Sequence, residues 1–376
     1  MNALPRSTDL FVIGGGPAGL AAAIAARRRG VDVTLADCSV PPIDKACGEG
    51  IMPDGLAAAR SLGLDLEAAG GHPFRGIRFA QGDTSQAEIS VEACFPNGHG
   101  LGLHRTVLHN LMVDHAIRAG VRLAWGVRIG GISAEGVMAG GRLVRARWIA
   151  GADGGRSTVR RWAGLDACHR ESHRFGFRRH YRVAPWSDFM EVHWANGCQL
   201  YITPVGVEEV CVVLITSDQH QRLEQALPLF PEVARRLAAA SPTILQRGGV
   251  TASRRLKAVW RGNVALVGDA SGSVDAITGE GLCLLFQQSV ALAAALEAND
   301  LAGYQAAHRR IGRHPEFMAD LMLLLDRRRR LRTTAIRALA ARPGLFAQLL
   351  AVHTGESAAA QLITGGLALG YRMLTL

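Results

Sequence analysis

The apolar positions near the start of the chain predict a strand, a helix and a second strand in succession. Residues 10–13 form a short apolar run, which is typical of a buried parallel strand. An alanine-rich stretch over 18–26 then has the composition of a helix, and Gly30 follows its expected end. Residues 31–37 alternate between apolar and polar, as a strand does, and they end in an acidic residue.

Later segments change from helical to strand periodicity and back. Helical spacing over 105–119 and 280–298 predicts two helices, and the chain after residue 301 has a helical pattern throughout. Residues 121–150 have the pattern of strands with a glycine-rich hairpin, while short alternating runs over 174–216 predict an antiparallel sheet. Together these elements predict an α/β fold, or α+β when the whole chain is considered.

The length and composition are those of an ordinary globular protein. The 376 residues are enough for two closely joined domains, and contents of 48% hydrophobic and 20% charged residues argue against disorder. The formal net charge is +10, and much of it lies after position 301, where eleven arginines face four acidic residues. Because this charge is not interleaved with aromatic residues, we expect no nucleic-acid partner.

The cysteines have neither the spacing of a metal site nor that of a disulfide framework. They lie at positions 38, 47, 94, 168, 198, 211 and 283. This scatter predicts reduced thiols, no metal site and a cytoplasmic protein. The chain does not begin with a basic-then-apolar signal segment, and no uncharged apolar run has the length of a membrane span.

A glycine motif lies between the first predicted strand and the first predicted helix. Gly14, Gly16 and Gly19 have G-x-G-x-x-G spacing, and Asp37 ends the next strand eighteen positions after Gly19. In such a unit the first glycine makes a tight turn, the second admits a pyrophosphate and the third lets the helix pack on the strand. The helix amino terminus donates to the phosphates, and the acid accepts from a ribose hydroxyl. The motif predicts dinucleotide binding without choosing between FAD and NAD.

Two further glycine-rich segments end predicted strands. Asp153 and Gly154 lie in "GADGGRSTVR", and Asp269 lies in "VALVGDASGSVDAITGEGL". An acid at such a place can accept from ribityl or ribose hydroxyls. Gly279 and Gly281 precede a long helix, whose first amides can face a phosphate or the O2 edge of a flavin. Three such segments in this order favour FAD over NAD as the bound dinucleotide.

Across about residues 8–300, these segments resemble the FAD-dependent oxidoreductases with a p-hydroxybenzoate-hydroxylase-like fold. The resemblance implies that 151–160 lies near the FAD and pyridine-nucleotide pyrophosphates and that 268–270 binds the ribityl chain. It also implies that Arg105 lies near the FAD phosphates. The candidate cofactor-binding residues are Gly14, Gly16, Pro17, Ala18, Gly19, Asp37, Cys47, Gly48, Arg105, Asp153, Gly154, Gly268, Asp269, Gly279, Glu280 and Gly281.

The same resemblance implies a Rossmann-like FAD-binding domain, an interleaved antiparallel-sheet substrate domain and a helical C-terminal region. We expect the discontinuous FAD-binding domain to comprise 1–72, 100–172 and 255–300. The substrate domain is expected over 73–99 and 173–254, and the helical region over 301–376.

Two segments resemble the geranylgeranyl-reductase-like branch of these flavoproteins. "TGEG" at 278–281 resembles that branch, whereas aromatic hydroxylases usually have Gly-Gln-Gly in this region. "DKACGEG" at 44–50 resembles the branch's Lys-x-Cys-Gly-Gly-Gly signature, with Glu49 in place of a glycine. The whole pattern also resembles bacterial flavoproteins of polyketide and other secondary pathways.

The branch implies FAD-dependent reduction of a C=C bond in a hydrophobic small molecule, isoprenoid- or polyketide-like, with NAD(P)H or another external electron donor. The sequence departs from the branch at "QLYITP". The branch has an aromatic-rich Y-x-W-x-F-P here, whereas this chain keeps Pro204 but has Gln199, Tyr201 and Thr203 at the three aromatic positions. A second hypothesis is an O2-dependent monooxygenase that hydroxylates an aromatic or polyketide substrate. A third is a non-catalytic FAD-binding redox sensor.

Cys47, His193 and Tyr201 are the candidate catalytic residues. If the protein binds FAD, the glycine-rich loop that contains Cys47 is expected to lie at the flavin ring. His193 and Tyr201 are proton-donor candidates on the predicted substrate sheet. Polar side chains alternate along 178–182 and again at Glu191 and His193. This alternation predicts either a solvated face or the lining of a pocket.

The arginine cluster near the end of the chain has two interpretations. Arg327–Arg330 and Arg332 have the pattern of a solvated helix face. Alternatively, the apolar residues 321–325 beside them could lie on an anionic lipid surface, which would suit a hydrophobic substrate.

Overall fold

The computed structural model describes residues 4–83 and 86–355. Its strands are β1 (Ser7–Ile13), β2 (Val33–Asp37), β3 (Gly50–Ile51), β4 (His72–Phe74), β5 (Gly76–Asp83), β6 (Gln86–Cys94), β7 (Gly100–Gly102), β8 (Arg122–Trp125), β9 (Ile129–Ser133), β10 (Gly136–Ala139), β11 (Arg142–Gly151), β12 (Cys168–Arg182), β13 (Phe189–Trp194), β14 (Cys198–Gly206), β15 (Glu209–Thr216), β16 (Ser241–Pro242), β17 (Arg247–Leu256), β18 (Trp260–Arg261) and β19 (Val264–Leu266). Its α-helices are α1 (Pro17–Arg27), α2 (Pro53–Ser61), α3 (Arg105–Arg118), α4 (Thr158–Trp162), α5 (Leu223–Ala226), α6 (Pro231–Leu237), α7 (Gly281–Glu297), α8 (Leu301–Arg327), α9 (Arg329–Ala340) and α10 (Pro343–His353). Single 3-10 turns lie at Glu67–Ala69, Leu227–Leu229, Gly268–Ser271 and Ala276–Thr278.

The first sheet brings the three glycine-rich segments to one edge. Its order is β18-β19-β11-β1-β2-β8, with β10 paired to β11 and β9 to β10. The central pairings are parallel, and the register places Ile13 beside both Ala36 and Gly151, and Gly151 beside Leu266. The carboxyl ends of four strands therefore meet, which is where open parallel sheets bind ligands.

Steric limits at two glycines hold α1 against this sheet. Gly14 has a φ of +115°, and a Cβ there would lie 2.4 Å from the carbonyl oxygen of Ala152. A Cβ on Gly19 would lie 1.8 Å from the carbonyl oxygen of Gly14. The first and third glycines of the motif thus make the turn and the close helix–strand contact expected of them.

The second large sheet is antiparallel except where β13 pairs with β5. Its order is β16-β12-β15-β14-β13-β5-β6, with β17 also paired to β12. One face packs against α8, α9 and α10, and the other face packs against α5 and α6. A small sheet, β3-β7-β4, lies next to β14.

The predicted α/β architecture, with a Rossmann-like sheet, a second sheet and C-terminal helices, is confirmed. The helical prediction for the chain beyond residue 355 lies outside the described residues. Within the described chain, no single helix is long and apolar enough to span a membrane. Only α9 and α10, bent by 107° at the break between them, reach that length and apolarity as a pair.

Arg332 corrects one prediction for the C-terminal region. Arg327–Arg330 are exposed, as a solvated face requires, but Arg332 is only 1% exposed. Its Nε donates to Gln81 Oε1 at 2.8 Å, and its Nη1 donates to the carbonyl of Asp326 at 3.0 Å. The arginine run "RRRRLR" could not reveal this contact because Gln81 comes from β5.

The close contact at Gly19 predicts a large cost for one added methyl group. Gly19→Ala should lower the free energy of unfolding by about 1–3 kcal/mol, since the backbone of Gly14 must move away from the added methyl group. Gly155→Ala is the matched control, because a Cβ there meets no atom within 4 Å. Urea unfolding of both variants measures the difference, and equal stabilities would contradict the packing argument.

Candidate functional site

The amino end of α1 is an open donor site. Gly16 is the N-cap residue and supplies no side-chain hydrogen bond, and a Cβ on it would meet no atom within 4 Å. The amides of Ala18 and Gly19 in the first turn therefore face a place that the fold leaves accessible. Asp37 holds the turn from the next strand, since its carboxylate accepts from the amides of Gly15 at 2.6 Å and Ser39 at 2.7 Å.

Helix α3 brings a buried cation and a histidine to this turn. The Nε2 of His109 lies 2.9 Å from the carbonyl oxygen of Gly15. Burial lowers the pKa of His109, so the ring is neutral and Nε2–H donates this bond. Arg105 lies one helical turn earlier, and its buried Nε has no hydrogen-bond partner within residues 4–83 and 86–355. A buried guanidinium nitrogen without a partner, beside a phosphate-type turn, fits an anionic ligand.

Arg160 joins the second and third glycine-rich segments. Its Nη1 donates to the carbonyl of Ala270 at 3.2 Å, and its Nη2 donates to that of Gly155 at 2.9 Å. Asp269, which directly precedes Ala270, is exposed, and its carboxylate has no hydrogen-bond partner in the part of the chain that the structure describes. Its oxygens are free to accept from ligand hydroxyls.

Asp153 has a role that the sequence did not reveal. Its Oδ2 accepts from the amides of Thr158 at 2.7 Å and Val159 at 3.1 Å, and its Oδ1 accepts from the hydroxyl of Ser157. It thus satisfies the first amides of α4. Gly154 beside it has a φ of +81°, and the side chain of Lys45 reaches it.

The "DKACGEG" loop is fixed by the buried carboxylate of Glu49. Glu49 has a φ of +60°, a conformation that favours glycine, and it stands where the reductase-like signature has a glycine. Its carboxylate accepts from Arg178 Nη1 at 2.7 Å, His180 Nε2 at 2.6 Å and the amide of Arg105 at 3.0 Å. Burial favours the neutral acid, but the hydrogen bond from His180 and the charges of His180 and Arg178 outweigh it and lower the pKa of Glu49.

This cluster corrects the prediction for the polar run on β12. Arg178 and His180 neither face solvent nor line a pocket, since they are 1% and 2% exposed and bind Glu49. Arg182 at the strand end is exposed.

Cys47 lies half-buried on the same loop. Its Sγ accepts from the amide of Glu49 at 3.4 Å, and its carbonyl oxygen lies 3.8 Å from the Sγ of Cys211 on β15. Burial raises the pKa of the Cys47 thiol, and the charge of Arg105 only partly opposes this. Cys47 is therefore a neutral thiol at neutral pH.

A second buried carboxyl lies at the amino end of α7, in the "TGEG" segment. Burial raises the pKa of Glu280 to about 8, and the charge of Asp54 adds to the effect. The Oε1 of Glu280 lies 3.7 Å from Nδ1 of His353, and Asp54 accepts from the thiol of Cys283 at 2.6 Å. The sequence identified Glu280 only as a cofactor contact, because Asp54 and His353 come from distant helices.

The candidate catalytic residues Tyr201 and His193 lie on opposite faces of the second large sheet. Tyr201 and Thr203 face the loop of Cys47 and the turn before α7. Tyr201 donates to the carbonyl of Ile277 at 2.7 Å, and Thr203 donates to the carbonyl of Gly48 at 2.8 Å. His193 lies on the other face, where it contacts Glu191 at 2.7 Å and borders a separate cavity of about 280 Å³. The structure therefore brings Cys47 and Tyr201 to one region and leaves His193 outside it.

Together these features fit FAD. The open helix terminus and the unpaired Nε of Arg105 suit its phosphates, and the free carboxylate of Asp269 suits its hydroxyls. Comparison with known proteins agrees, because residues 7–307 match the family described as FAD binding domain.

Similar proteins include reductases. The chain is 28% identical over 331 residues to menaquinone reductase from Mycobacterium tuberculosis, covering 79% of this chain and 78% of that protein. It is 27% identical over 306 residues to digeranylgeranylglycerophospholipid reductase 1 from Methanothermobacter thermautotrophicus, covering 75% of each. A flavoprotein/dehydrogenase structure from Cytophaga hutchinsonii has the same fold, with a TM-score of 0.79, 17% identity and 93% of each chain covered. The chain belongs to the FAD binding domain family, and it is an FAD-dependent oxidoreductase.

Proposed function

We propose that the protein reduces a carbon–carbon double bond in a hydrophobic, isoprenoid- or polyketide-like molecule, and that NAD(P)H or another external donor supplies the electrons. The observation that carries this proposal is Glu280, a buried carboxyl that keeps its proton at neutral pH in the "TGEG" segment. Reduction of an alkene requires a proton as well as a hydride. Similarity to two reductases over about three quarters of the chain supports the same conclusion.

The residues that would hold FAD come from the segments described above. The amides at the start of α1 and the guanidinium of Arg105 would bind phosphates, and Asp37 and Asp269 would accept from hydroxyls. The amides of Gly279–Gly281 would face the flavin ring. Bound FAD supplies the hydride chemistry.

The chain's own side chains would orient the substrate, exclude water and supply the proton. In this proposal, apolar residues packed between the second sheet and α8–α10 would supply a hydrophobic wall for the substrate. Tyr201 holds the 3-10 turn that precedes Glu280, so it is a positioning residue in this proposal. Glu280 would donate the proton.

Product analysis tests the reaction. The purified holoprotein is incubated with NAD(P)H and with menaquinone or geranylgeranyl compounds, both with and without O2. Saturation of an alkene at equal rates in both atmospheres supports the reductase. Oxygen-dependent hydroxylation of an aromatic compound would instead establish the monooxygenase, and a flavin that no donor can reduce would leave the sensor hypothesis.

Glu280→Gln removes the proton but keeps the size of the side chain. Activity of the wild-type protein should fall as pH rises through about 8, because the protonated fraction of Glu280 falls there. The variant should lose about 100-fold in kcat and should lack that pH dependence. Steady-state rates from pH 6 to about 9.5 measure both effects.

Thermal unfolding supplies a readout that does not depend on activity. The folded pKa of Glu280 lies above its ordinary value of 4.5, so its ionisation disfavours folding. The wild-type protein should therefore lose stability relative to Glu280→Gln as pH rises from about 4.5 to about 8. Glu297→Gln, at the exposed end of α7, is the control and should match the wild type. Full activity of Glu280→Gln with an unchanged pH profile would exclude Glu280 as the donor.

Cys47→Ser tests the thiol of the loop. We expect FAD to remain bound at the wild-type stoichiometry while kcat changes by about tenfold or more, since the proposal puts Sγ at the reacting edge of the flavin. Cys38→Ser is the matched control, because Cys38 is exposed. Normal turnover of Cys47→Ser would show that the thiol only packs.

We also propose that α8 contacts anionic membranes, from which a hydrophobic substrate would be taken. Of the apolar residues 321–325 that the sequence suggested for this contact, Leu324 is 46% exposed, whereas Met322 and Leu323 are buried. Phe317, two helical turns before Leu324, is 53% exposed, and exposed arginines lie at 310, 313, 327 and 328. The exposed Asp320 lies between Phe317 and Leu324, so the attraction to an anionic bilayer surface would come from the basic ends.

Vesicle co-sedimentation tests this contact. Arg327→Gln with Arg328→Gln should weaken binding to phosphatidylglycerol vesicles about tenfold or more, because each arginine contributes about 1 kcal/mol. Arg118→Gln with Arg161→Gln removes the same charge from other exposed positions and should have little effect. Equal losses for both pairs would indicate attraction by net charge rather than a defined surface.

A further inference from the structure

We propose that His104, His180 and Glu209 form a site for Zn²⁺ or a similar divalent transition-metal ion. Each residue offers one ligand atom, and these atoms all lie within 4.8 Å of one another. Two imidazole nitrogens and one carboxylate oxygen form a ligand set that zinc accepts, with a fourth position for water.

The hydrogen bonds of His180 leave the right nitrogen for a metal. Its Nε2 makes a hydrogen bond with Oε2 of Glu49 at 2.6 Å, so Nδ1 is the nitrogen left to face a metal. Metal binding requires the lone pair of Nδ1. Nδ1 is buried, and no atom of the described residues makes a hydrogen bond to it.

The atom that Nδ1 faces is also an acceptor. Oε1 of Glu209 lies 4.0 Å away, which is too far for a direct hydrogen bond. A metal ion held between Nδ1 and this oxygen would be bound by both. Oε1 also accepts from the hydroxyl of Thr243, which orients the carboxylate.

His104 completes the set from the solvent side. Its Nε2 lies 3.0 Å from Oε2 of Glu209, and its ring stands edge-on to that of His180, with centroids 4.5 Å apart. The side chains of His104 and Glu209 are 28% and 24% exposed. An ion can therefore reach the buried nitrogen of His180 from solvent.

Glu49 is better placed as the outer support of this site than as a ligand. A second possible ligand group contains Glu49, His180 and Cys211. However, Nη1 of Arg178 lies 2.7 Å from Oε1 of Glu49 and places a positive charge where that ion would bind. Glu49 instead fixes the orientation of His180, as carboxylates behind metal-bound histidines do.

The position of the site indicates its role. His104 precedes α3, His180 lies on β12 and Glu209 begins β15. A bound ion would join the part of the chain that carries Arg105 to the second sheet, directly behind the loop of Cys47 and Glu49. We infer a structural ion that fixes this junction. The sequence predicted no metal because its ligands are far apart along the chain.

Metal titration tests the site. Untagged holoprotein is treated with a chelator, dialysed and titrated with Zn²⁺ by calorimetry and with Co²⁺ by visible absorption. One ion should bind per chain, and Zn²⁺ should raise the unfolding temperature. His104→Ala and Glu209→Gln should each weaken binding at least tenfold and should abolish the shift in unfolding temperature.

Two residues outside the ligand set supply the controls. Glu208→Gln and His99→Ala alter an adjacent carboxylate and a surface histidine and should bind Zn²⁺ as the wild type does. Glu209→Gln is nearly isosteric, so it decides the matter if His104→Ala does not fold. Zn²⁺ affinity that is equal in the wild type and Glu209→Gln, or absent from both, would overturn the site and leave a hydrogen-bonded His–Glu cluster.

Discussion

The buried carboxylate of Glu49 is the interaction on which the junction of the two sheets depends. It receives donors from β12 through Arg178 and His180 and from the start of α3 through the amide of Arg105. Removing it would leave Arg178 without its closest partner at a site that is almost fully buried, and unpaired buried charge is among the largest costs in a folded protein. The same bonds compensate the left-handed backbone that Glu49 adopts, so the residue that departs from the glycine signature is held by partners on another sheet.

Two glutamates of the same region illustrate how surroundings set protonation. Both Glu49 and Glu280 are buried, and burial alone favours the neutral acid in each. Glu49 faces an arginine and a histidine and is ionised, whereas Glu280 faces another carboxyl and keeps its proton. One is therefore suited to bind cations and orient a loop, and the other is suited to give up a proton.

The parts of the fold that depend on local sequence were predictable. The glycine spacing and the run over 10–13 identified the turn before α1, because these features require only neighbouring residues. Pairings between distant segments were not predictable. Arg332 has the composition of a surface residue, yet Gln81 from another sheet buries it. The sequence placed His193 on the correct strand. The alternation of polar residues alone could not show which face of the second sheet meets the loop of Cys47. Asp153 has the position of a ligand acid, and only the geometry of α4 reveals that it satisfies helix amides.

The helices that cover the second sheet lie largely beyond the matched family region, which ends at residue 307. Ile336, Leu339, Phe346 and Leu350 from α9 and α10 pack on the same apolar face as Tyr201. The wall over this face is thus encoded by one terminal segment, apart from the motifs assigned to the cofactor. Substitutions in that segment can alter the packing over this face without changing the glycine motifs. Through His353, which contacts Glu280, they can also reach the proposed proton donor.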